Sequence, residues 1–523
     1  MSTKRTSSTD HEGSVETQPP KSLIRKHRQV KRARYRELFL DKLPVDILNS
    51  ILGYLEQPDL VSVCLVSKPL YKLARKRLYT KVTIVDECYF EDDLPMPNSN
   101  YYTMVPNGTK DKFLATVSRN KQIAQLIKSL TISDSIDMDE YSGLSEFLRK
   151  LLPRVRLEFF HCTEETYIPY NCLSTVQRIS LYVHERCVLS SNLVELKITY
   201  RGWSSDIHNF STLAHEMVED KSYLKLKKLA FKTWDYHANL GMMSEDEILT
   251  DGPFWSNFFC AFEDDDIVLH LTDLGLDGDF WDDDQKHLAR LVSDVVDFSK
   301  LETLDIKYSY YVRFHNEGHH EDGVHSFLDY TTKGAFRLRN LTITHTRVIT
   351  PGEINALARV LRENLSYRLK HLRITFQDQC QQELAMIQDM LLTYQTSLVK
   401  LKIAFSPLDL FNPLTLEDED RKFIGVPALR ELQEAIISDK GTREALSPTI
   451  FDYDECKPFL DEEHLSTIIS HKKEILEFLK SDNIYLGAAD VMPALKEYDV
   501  LGLCINMKEN TIIFNGKSIS LKE

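Results

Sequence analysis

Apolar residues recur in this chain in a unit of six, apolar-x-x-apolar-x-apolar, that returns along most of its length. The unit reads IKSLTI from Ile127, LPRVRL from Leu152, VQRISL from Val176, LVELKI from Leu193 and LKKLAF from Leu226. It continues as LTDLGL from Leu271, LETLDI from Leu301, LRNLTI from Leu338, LKHLRI from Leu369 and LVKLKI from Leu398. YTKVTI from Tyr79 reads as a degenerate first copy and LRELQE from Leu429 as a last one. The last two apolar positions of each unit alternate, as on one face of a short strand. Segments between them, such as PGEINALARVLRENL and QQELAMIQDMLLTYQ, carry helical spacing. A strand–helix unit cannot bury its apolar face alone and needs the next unit to cover it. The pattern therefore predicts a parallel-stranded α/β solenoid, uneven because its units are 17 to 45 residues apart. The alternative is an α/β domain with a parallel sheet but no solenoid. From about residue 451 the pattern breaks into a helix, DEEHLSTIISHKKEILEFLKS, and a hairpin, VLGLCINMKENTIIFNG, turning near Lys508 to Asn510. Both are placed to cap the array.

The N-terminal pattern is different. Pro44 suits a first helical turn, and Ile47, Leu48, Ile51, Leu52 and Leu55 follow at helical spacing. A second helix starts at Pro58–Asp59 and carries Leu60, Val61, Val63 and Cys64 through Val66. Ser67 is a good N-cap for a third, with Leu70, Leu73, Ala74 and Leu78. Three such short helices cannot bury all of this surface on one another. The surplus must meet the next domain or a partner.

These residues carry a resemblance. LPVDILNSILGYLEQPDLVSVCLVSKPLYKLARKRLY is similar to an F-box of the form frequent in fungal proteins. The matching positions are Leu43-Pro44, Asp46, Ile47, Ile51-Leu52, Tyr54-Leu55, Asp59-Leu60, Leu65-Val66-Ser67 and Leu78-Tyr79. Leu70 departs from it, since many F-boxes carry a large aromatic there. The repeats in turn resemble an irregular leucine-rich-repeat solenoid. The resemblance implies docking to a Skp-family adaptor, and through it to the cullin and RING subunits of an SCF-type ubiquitin ligase. The implied adaptor contacts are Leu43, Pro44, Ile47, Leu48, Ile51, Leu52, Leu55, Leu60, Val63, Leu65 and Val66. The chain would then hold a target protein and catalyse nothing, with no cofactor. An adaptor-bound scaffold without a degradative role is the alternative that the resemblance leaves open. The expected domains are a disordered, basic-ended tail over 1–36, the F-box over 37–86, the solenoid over 87–450 and the cap over 451–523.

Composition narrows this picture. Of 523 residues, 42% are hydrophobic and 27% charged, as in a globular chain. No apolar run reaches a membrane span and the N-terminus has no signal-peptide core, so cytosol or nucleus is expected. Nine scattered cysteines, none in a C-x-x-C pair, read as free and mostly buried thiols. The net charge of −15 argues against nucleic-acid binding by the body of the protein. KSLIRKHRQVKRARYR, with Arg25, Lys26, Arg28, Lys31, Arg32 and Arg34, reads as an import signal or simply as a solvated lead-in.

Candidate chemistry is sparse. HNEGHHEDGVH, with His315, His319, His320 and His325, offers zinc ligands but no cysteine and no fixed geometry, so a metal-free loop is expected. The acidic runs 262–267 and 277–285 lack the glycine and distal glutamate of a calcium loop and read as solvated loop faces. No nucleophile elbow, phosphate loop or H-E-x-x-H is present, and no motif supports an enzyme on an α/β domain. In the repeats, residues between the inward positions should line one open face. Their basic members are Arg154, Arg156, Arg178, Lys197, Lys228, Lys232, Lys307, Arg373, Lys400 and Lys402, outnumbering the acidic Glu158, Glu195, Asp273, Asp277 and Asp305. The expectation is a basic reader of an acidic or phosphorylated target, with Tyr182 and His371 as flanking contacts.

Overall fold

The computed structural model describes residues 43–55, 57–85, 103–132, 141–162, 173, 175–183, 189–200, 204–233, 255–278, 285–308, 326–348, 351–377, 381–406 and most of 476–521. The basic arm, the histidine loop, the 429 repeat, residues 279–284 and most of the 461–481 helix lie outside these. The chain divides into two compact units, Met1–Arg77 and Leu78–Glu523.

The first unit is helical: α1 (Val45–Leu52), α2 (Gln57–Cys64) and α3 (Lys68–Thr80), the last running on into the second unit. Leu48, Leu52, Leu60, Leu70 and Ala74 are buried. Leu70 thus fills an inward position although it is not aromatic. The Arg77 guanidinium donates to the Gly53 carbonyl at 3.2 Å, tying α3 to the end of α1.

Among the described residues the second unit is one sheet of 16 strands. They are β1 (Lys81–Val85), β2 (Thr103–Pro106), β3 (Ser129–Ile132), β4 (Phe159–Cys162), β5 (Arg178–Tyr182), β6 (Glu195–Tyr200), β7 (Lys228–Thr233) and β8 (Asp273–Gly278). Then come β9 (Thr303–Tyr308), β10 (Asn340–Val348), β11 (His371–Gln377), β12 (Lys400–Ser406), β13 (Glu497–Val500), β14 (Leu503–Asn506), β15 (Thr511–Phe514) and β16 (Lys517–Ser520). From β3 onward each strand lies beside the next in sequence; only β2 departs, sitting outside β1 at the edge. Pairing is parallel up to β13 and antiparallel from there to β16. The described helices between strands are α4 (Lys110–Arg119), α5 (Lys121–Ala124), α6 (Tyr141–Leu151), α7 (Ser204–Glu219), α8 (Ser256–Asp264), α9 (Gln285–Val295), α10 (Ser326–Thr332), α11 (Pro351–Glu363), α12 (Gln381–Tyr394) and α13 (Asn483–Val491).

In the described units from Ile127 onward the three apolar residues are buried together, for example Leu226, Leu229 and Phe231, or Leu301, Leu304 and Ile306. One assignment is corrected. LPRVRL from Leu152 does not hold a strand; its Leu-Pro-Arg forms a 3-10 turn, where Pro153 has no N–H for a ladder. The true unit is LEFFHC, with Leu157 buried just before β4 and Phe160 and Cys162 buried on it. The cap is also corrected. LKEYDV from Leu495 is a further unit, because β13 pairs parallel and in register with β12, Lys400 opposite Glu497. The expected hairpin is β14–β15, with its turn before Thr511.

Wide spacing is filled by aromatic volume. Around β6–β9, Phe231 meets Phe210 of α7 at 5.6 Å, Phe258 of α8 at 5.3 Å and Trp255 at 6.2 Å between ring centroids. Trp255 in turn meets Phe327 of α10 at 6.4 Å. Each such pair adds about 0.5–1.5 kcal/mol beyond its area burial.

At the C-terminal end a buried polar triad joins α12, α13 and β13. Gln388 Nε2 donates to Asp482 Oδ2 at 2.7 Å, and Tyr498 Oη donates to the same oxygen at 2.9 Å. The Tyr485 N–H caps the other carboxyl oxygen at 2.8 Å. Burial pushes the Asp482 carboxyl above the usual range despite these donors. Tyr498→Phe leaves that buried carboxylate short of a donor and should cost about 1–3 kcal/mol. Urea unfolding checks the size, and faster hydrogen exchange confined to β13–β16 checks the place.

Candidate functional site

Two surfaces are candidates, and the first lies on the helical unit. Of the residues implied as adaptor contacts, Leu48, Leu52 and Leu60 are buried and unavailable to a partner; their role is to hold the helices together. Leu43, Ile51, Leu55 and Val63 are half-buried, while Pro44, Ile47, Leu65 and Val66 are exposed. Leu65 is 86% exposed, Tyr54 81% and Val66 69%, joined by Val45, Ile47 and Val61. Six exposed apolar residues on α1, α2 and the turns that follow them exceed what a short solvated segment carries without a partner. Val45, Tyr54 and Val61 were not among the implied contacts, because helical spacing alone does not say which face turns inward.

The second surface is the sheet face away from the buried Leu and Phe positions. Strand register places Arg178, Glu195, Lys228, Asp273, Thr303, Asn340, His371, Lys400 and Glu497 in one row. The row two residues further on holds Ser180, Lys197, Ala230, Gly275, Asp305, Thr342, Arg373, Lys402 and Asp499. The counting rule for this face therefore holds from β5 to β12, but the expected basic character does not. Lys228 pairs with Asp273 at 3.4 Å, Lys307 with Asp277 at 3.3 Å, Lys400 with Glu497 at 2.6 Å and Lys402 with Asp499 at 3.5 Å. The two acids of β13 neutralise the lysines that seemed the best target contacts. Arg154 and Arg156 leave the face with the corrected unit; Arg154 Nε donates to the Lys150 carbonyl instead. Tyr182 is buried, its hydroxyl 3.3 Å from Asp206 Oδ1, whereas His371 is exposed. Arg178 lies over the Phe159 ring at 5.3 Å, and Lys232 is exposed.

Asp277, expected on a solvated loop, is buried. Its Oδ2 accepts from the Thr233 N–H at 3.0 Å and the Thr233 hydroxyl at 2.8 Å, and its carbonyl accepts from the Tyr200 hydroxyl. With Lys307 it ties β6, β7, β8 and β9 at one end. Among the described residues no cluster of His, Cys, Asp or Glu could hold a metal ion, and no helix is long and apolar enough to cross a membrane. Among the described cysteines only Cys162 is buried; Cys64 and Cys504 are half-buried and Cys260 is exposed.

Asp305, in the middle of the face, has a pKa pushed up to about 6, from 3.8. Dehydration by the surrounding sheet is the main cause; Arg373, Lys307 and Lys197 oppose it, and Asp277 reinforces it. Water still reaches the side chain, so only a fraction of the full shift is felt as stability. The folded state holds this proton more tightly than the unfolded chain. Stability from this group is therefore present below pH 3.8 and is lost as pH rises to about 6. Asp305→Asn should be progressively more stable than the parent as pH rises through that window. Urea midpoints of both proteins from pH 4 to 7 check it; a constant difference between them contradicts it.

Comparison with known proteins bears on the first surface. A family model described as F-box-like matches residues 40–85. A Saccharomyces cerevisiae protein described as F-box protein DAS1 is 27% identical over 111 residues. That match spans 19% of this chain and 17% of the relative.

Proposed function

We propose that this F-box protein is a non-catalytic substrate-recognition subunit of an SCF-type ubiquitin ligase. The observation that carries the reading is the exposed apolar surface of the F-box segment: Val45, Ile47, Tyr54, Val61, Leu65 and Val66. In this reading a Skp-family adaptor covers that surface, and cullin and RING subunits follow through the adaptor. The long sheet then serves as the holder of a target protein, as a leucine-rich-repeat solenoid does. Its role is proximity, since tethering raises the effective concentration of a target lysine at the transfer machinery.

The buried and exposed leucines give the test its control. Leu65→Asp places a charge on the surface to be covered, where it meets water until a partner arrives. Adaptor co-elution should fall by about tenfold or more, because a charge left unpaired in an apolar interface is costly. The melting midpoint should stay unchanged. Leu52→Asp buries the charge inside the unit instead, so it should unfold the F-box segment and lose the adaptor for that reason. A Leu65→Asp protein that still co-elutes with adaptor defeats the docking reading. Co-purification of cullin with the parent complex distinguishes a ligase from an adaptor-bound scaffold.

A further inference from the structure

Strands β3 to β7 and β9 to β13 are each preceded by a tight turn, and these turns form the leading edge of the sheet. At two successive turns, those before β10 and β11, that edge carries Phe336, Arg337, Arg339, Tyr367, Arg368 and Lys370. Phe336 is 62% exposed and Tyr367 59%. Arg337, Arg339 and Lys370 are exposed as well, and Arg368 is half-buried. None of the four cations forms an ion pair among the described residues. Arg339 Nη1 donates to the carbonyls of Leu338 at 3.5 Å and Arg368 at 3.3 Å, and Lys370 Nζ to that of Ser397 at 3.3 Å. Arg368 lies over the Phe336 ring at 5.7 Å. The bordering acids do not compensate them. Asp329 is held by Lys333 at 3.0 Å and Glu363 by Arg362 at 2.6 Å. Glu302 accepts the Arg339 and Asn340 N–H groups on its backbone carbonyl, and its carboxylate forms no ion pair among the described residues.

This contrasts with the open face, where most lysines have an acidic neighbour across the strands. Four cations that form no ion pair among the described residues stand together at this edge, in a chain whose net charge is −15. Tyr367 adds an independent sign. Its φ is +57°, a left-handed conformation that a bulky residue adopts only at a cost of about 1 kcal/mol or more. Glycine or asparagine would close the same turn without that strain. The strain is kept for a ring that stands mostly in solvent, its hydroxyl only 3.5 Å from the Thr393 carbonyl.

We infer that this edge binds an acidic segment of a partner protein, its carboxylates on Arg337, Arg339 and Lys370 and an apolar residue against Tyr367. Arg339 and Lys370 are neighbours in the ladder, Lys370 N–H donating to Arg339 O at 2.7 Å, so they stand about 4.8 Å apart. Alternate side chains of an extended segment, roughly 6–7 Å apart, meet such a row through the flexible cationic stems. Single-stranded nucleic acid fits less well. Arg368 already lies over one face of Phe336, which leaves Tyr367 as the ring with no cation on it where base stacking uses several, and the chain's overall charge repels a long polyanion. The inference deepens the receptor reading by naming the chemistry of the captured partner. Its readout is direct binding, so its failure would leave adaptor docking untouched, and the reverse.

The test is fluorescence anisotropy of the full chain with a labelled extended peptide bearing alternating glutamates around one phenylalanine. A glutamine version of the peptide and an oligouridylate are the comparison probes. The acidic peptide should bind more tightly than the glutamine peptide by about tenfold at low salt, with the gap closing as salt rises. The double variant Arg337→Glu, Lys370→Glu should lose about tenfold or more, since both charges invert at the site. Lys228→Glu, on the open face, should leave binding within about twofold. Tyr367→Gly should weaken binding by about threefold while keeping or raising the melting midpoint, because it relieves the positive φ. A phosphoserine version that binds tighter than the glutamate peptide, and is lost in the same double variant, supports the same site with phosphate as the preferred anion. Equal affinity for glutamate and glutamine peptides overturns the inference. So does a double variant that binds as the parent does, or oligouridylate bound as tightly as the acidic peptide.

Discussion

One backbone carbonyl per repeat holds the array together. The carbonyl of the residue just before a strand accepts two N–H groups from the next repeat. Val194 accepts from Lys227 at 2.8 Å and Lys228 at 3.0 Å; Lys227 accepts from Thr272 and Asp273; Lys370 accepts from Val399 and Lys400. The same step recurs at Lys128, Glu158, Gln177, Thr272, Glu302, Arg339 and Val399. Each doubly used acceptor fixes where the following strand begins, and so fixes register. Register in turn decides that Leu226, Leu229 and Phe231 face inward while Lys228 and Lys232 face out. The cross-strand ion pairs and the basic, aromatic leading edge both follow from this alignment, because it sets which side chains become neighbours.

Much of the array was legible because its signal repeats. A single apolar hexapeptide means little, but ten in order identify strands that need one another. The misplaced unit at Leu152 failed because two overlapping hexapeptides satisfy the pattern there, and only Pro153 separates them. The β13 unit was hidden by Tyr498 in a position usually held by Leu. Its buried hydroxyl is tolerated because Asp482 and Gln388 satisfy it.

The charge map was the least legible part. Lys400 and Glu497 touch at 2.6 Å, yet nearly a hundred residues separate them in sequence. A face read strand by strand looks basic, whereas the same face read across strands is largely neutral. In the helical unit the difficulty was one of sidedness. Leu52 and Leu65 look alike in a list of apolar residues, but one is buried in the helical unit and the other stands in water. The cations at Arg337, Arg339, Arg368 and Lys370, which form no ion pair among the described residues, escaped the strand periodicity because they belong to turns.

The antiparallel turn-back of β14–β16 has a consequence during synthesis. A nascent chain emerges N-terminus first, and domains fold as their residues appear. The early repeats can pair as they emerge, since each needs only its predecessor. The edge of β12, however, stays open until Glu497–Val500 arrives, and the triad at Asp482 cannot close before Tyr498 does. For that interval the growing sheet presents an unpaired parallel edge rich in aliphatic side chains, the kind of edge that recruits stray strands. The stretch that seals the β12 edge is therefore Glu497–Val500, and a chain cut between β12 and β13 would carry an open, adhesive margin.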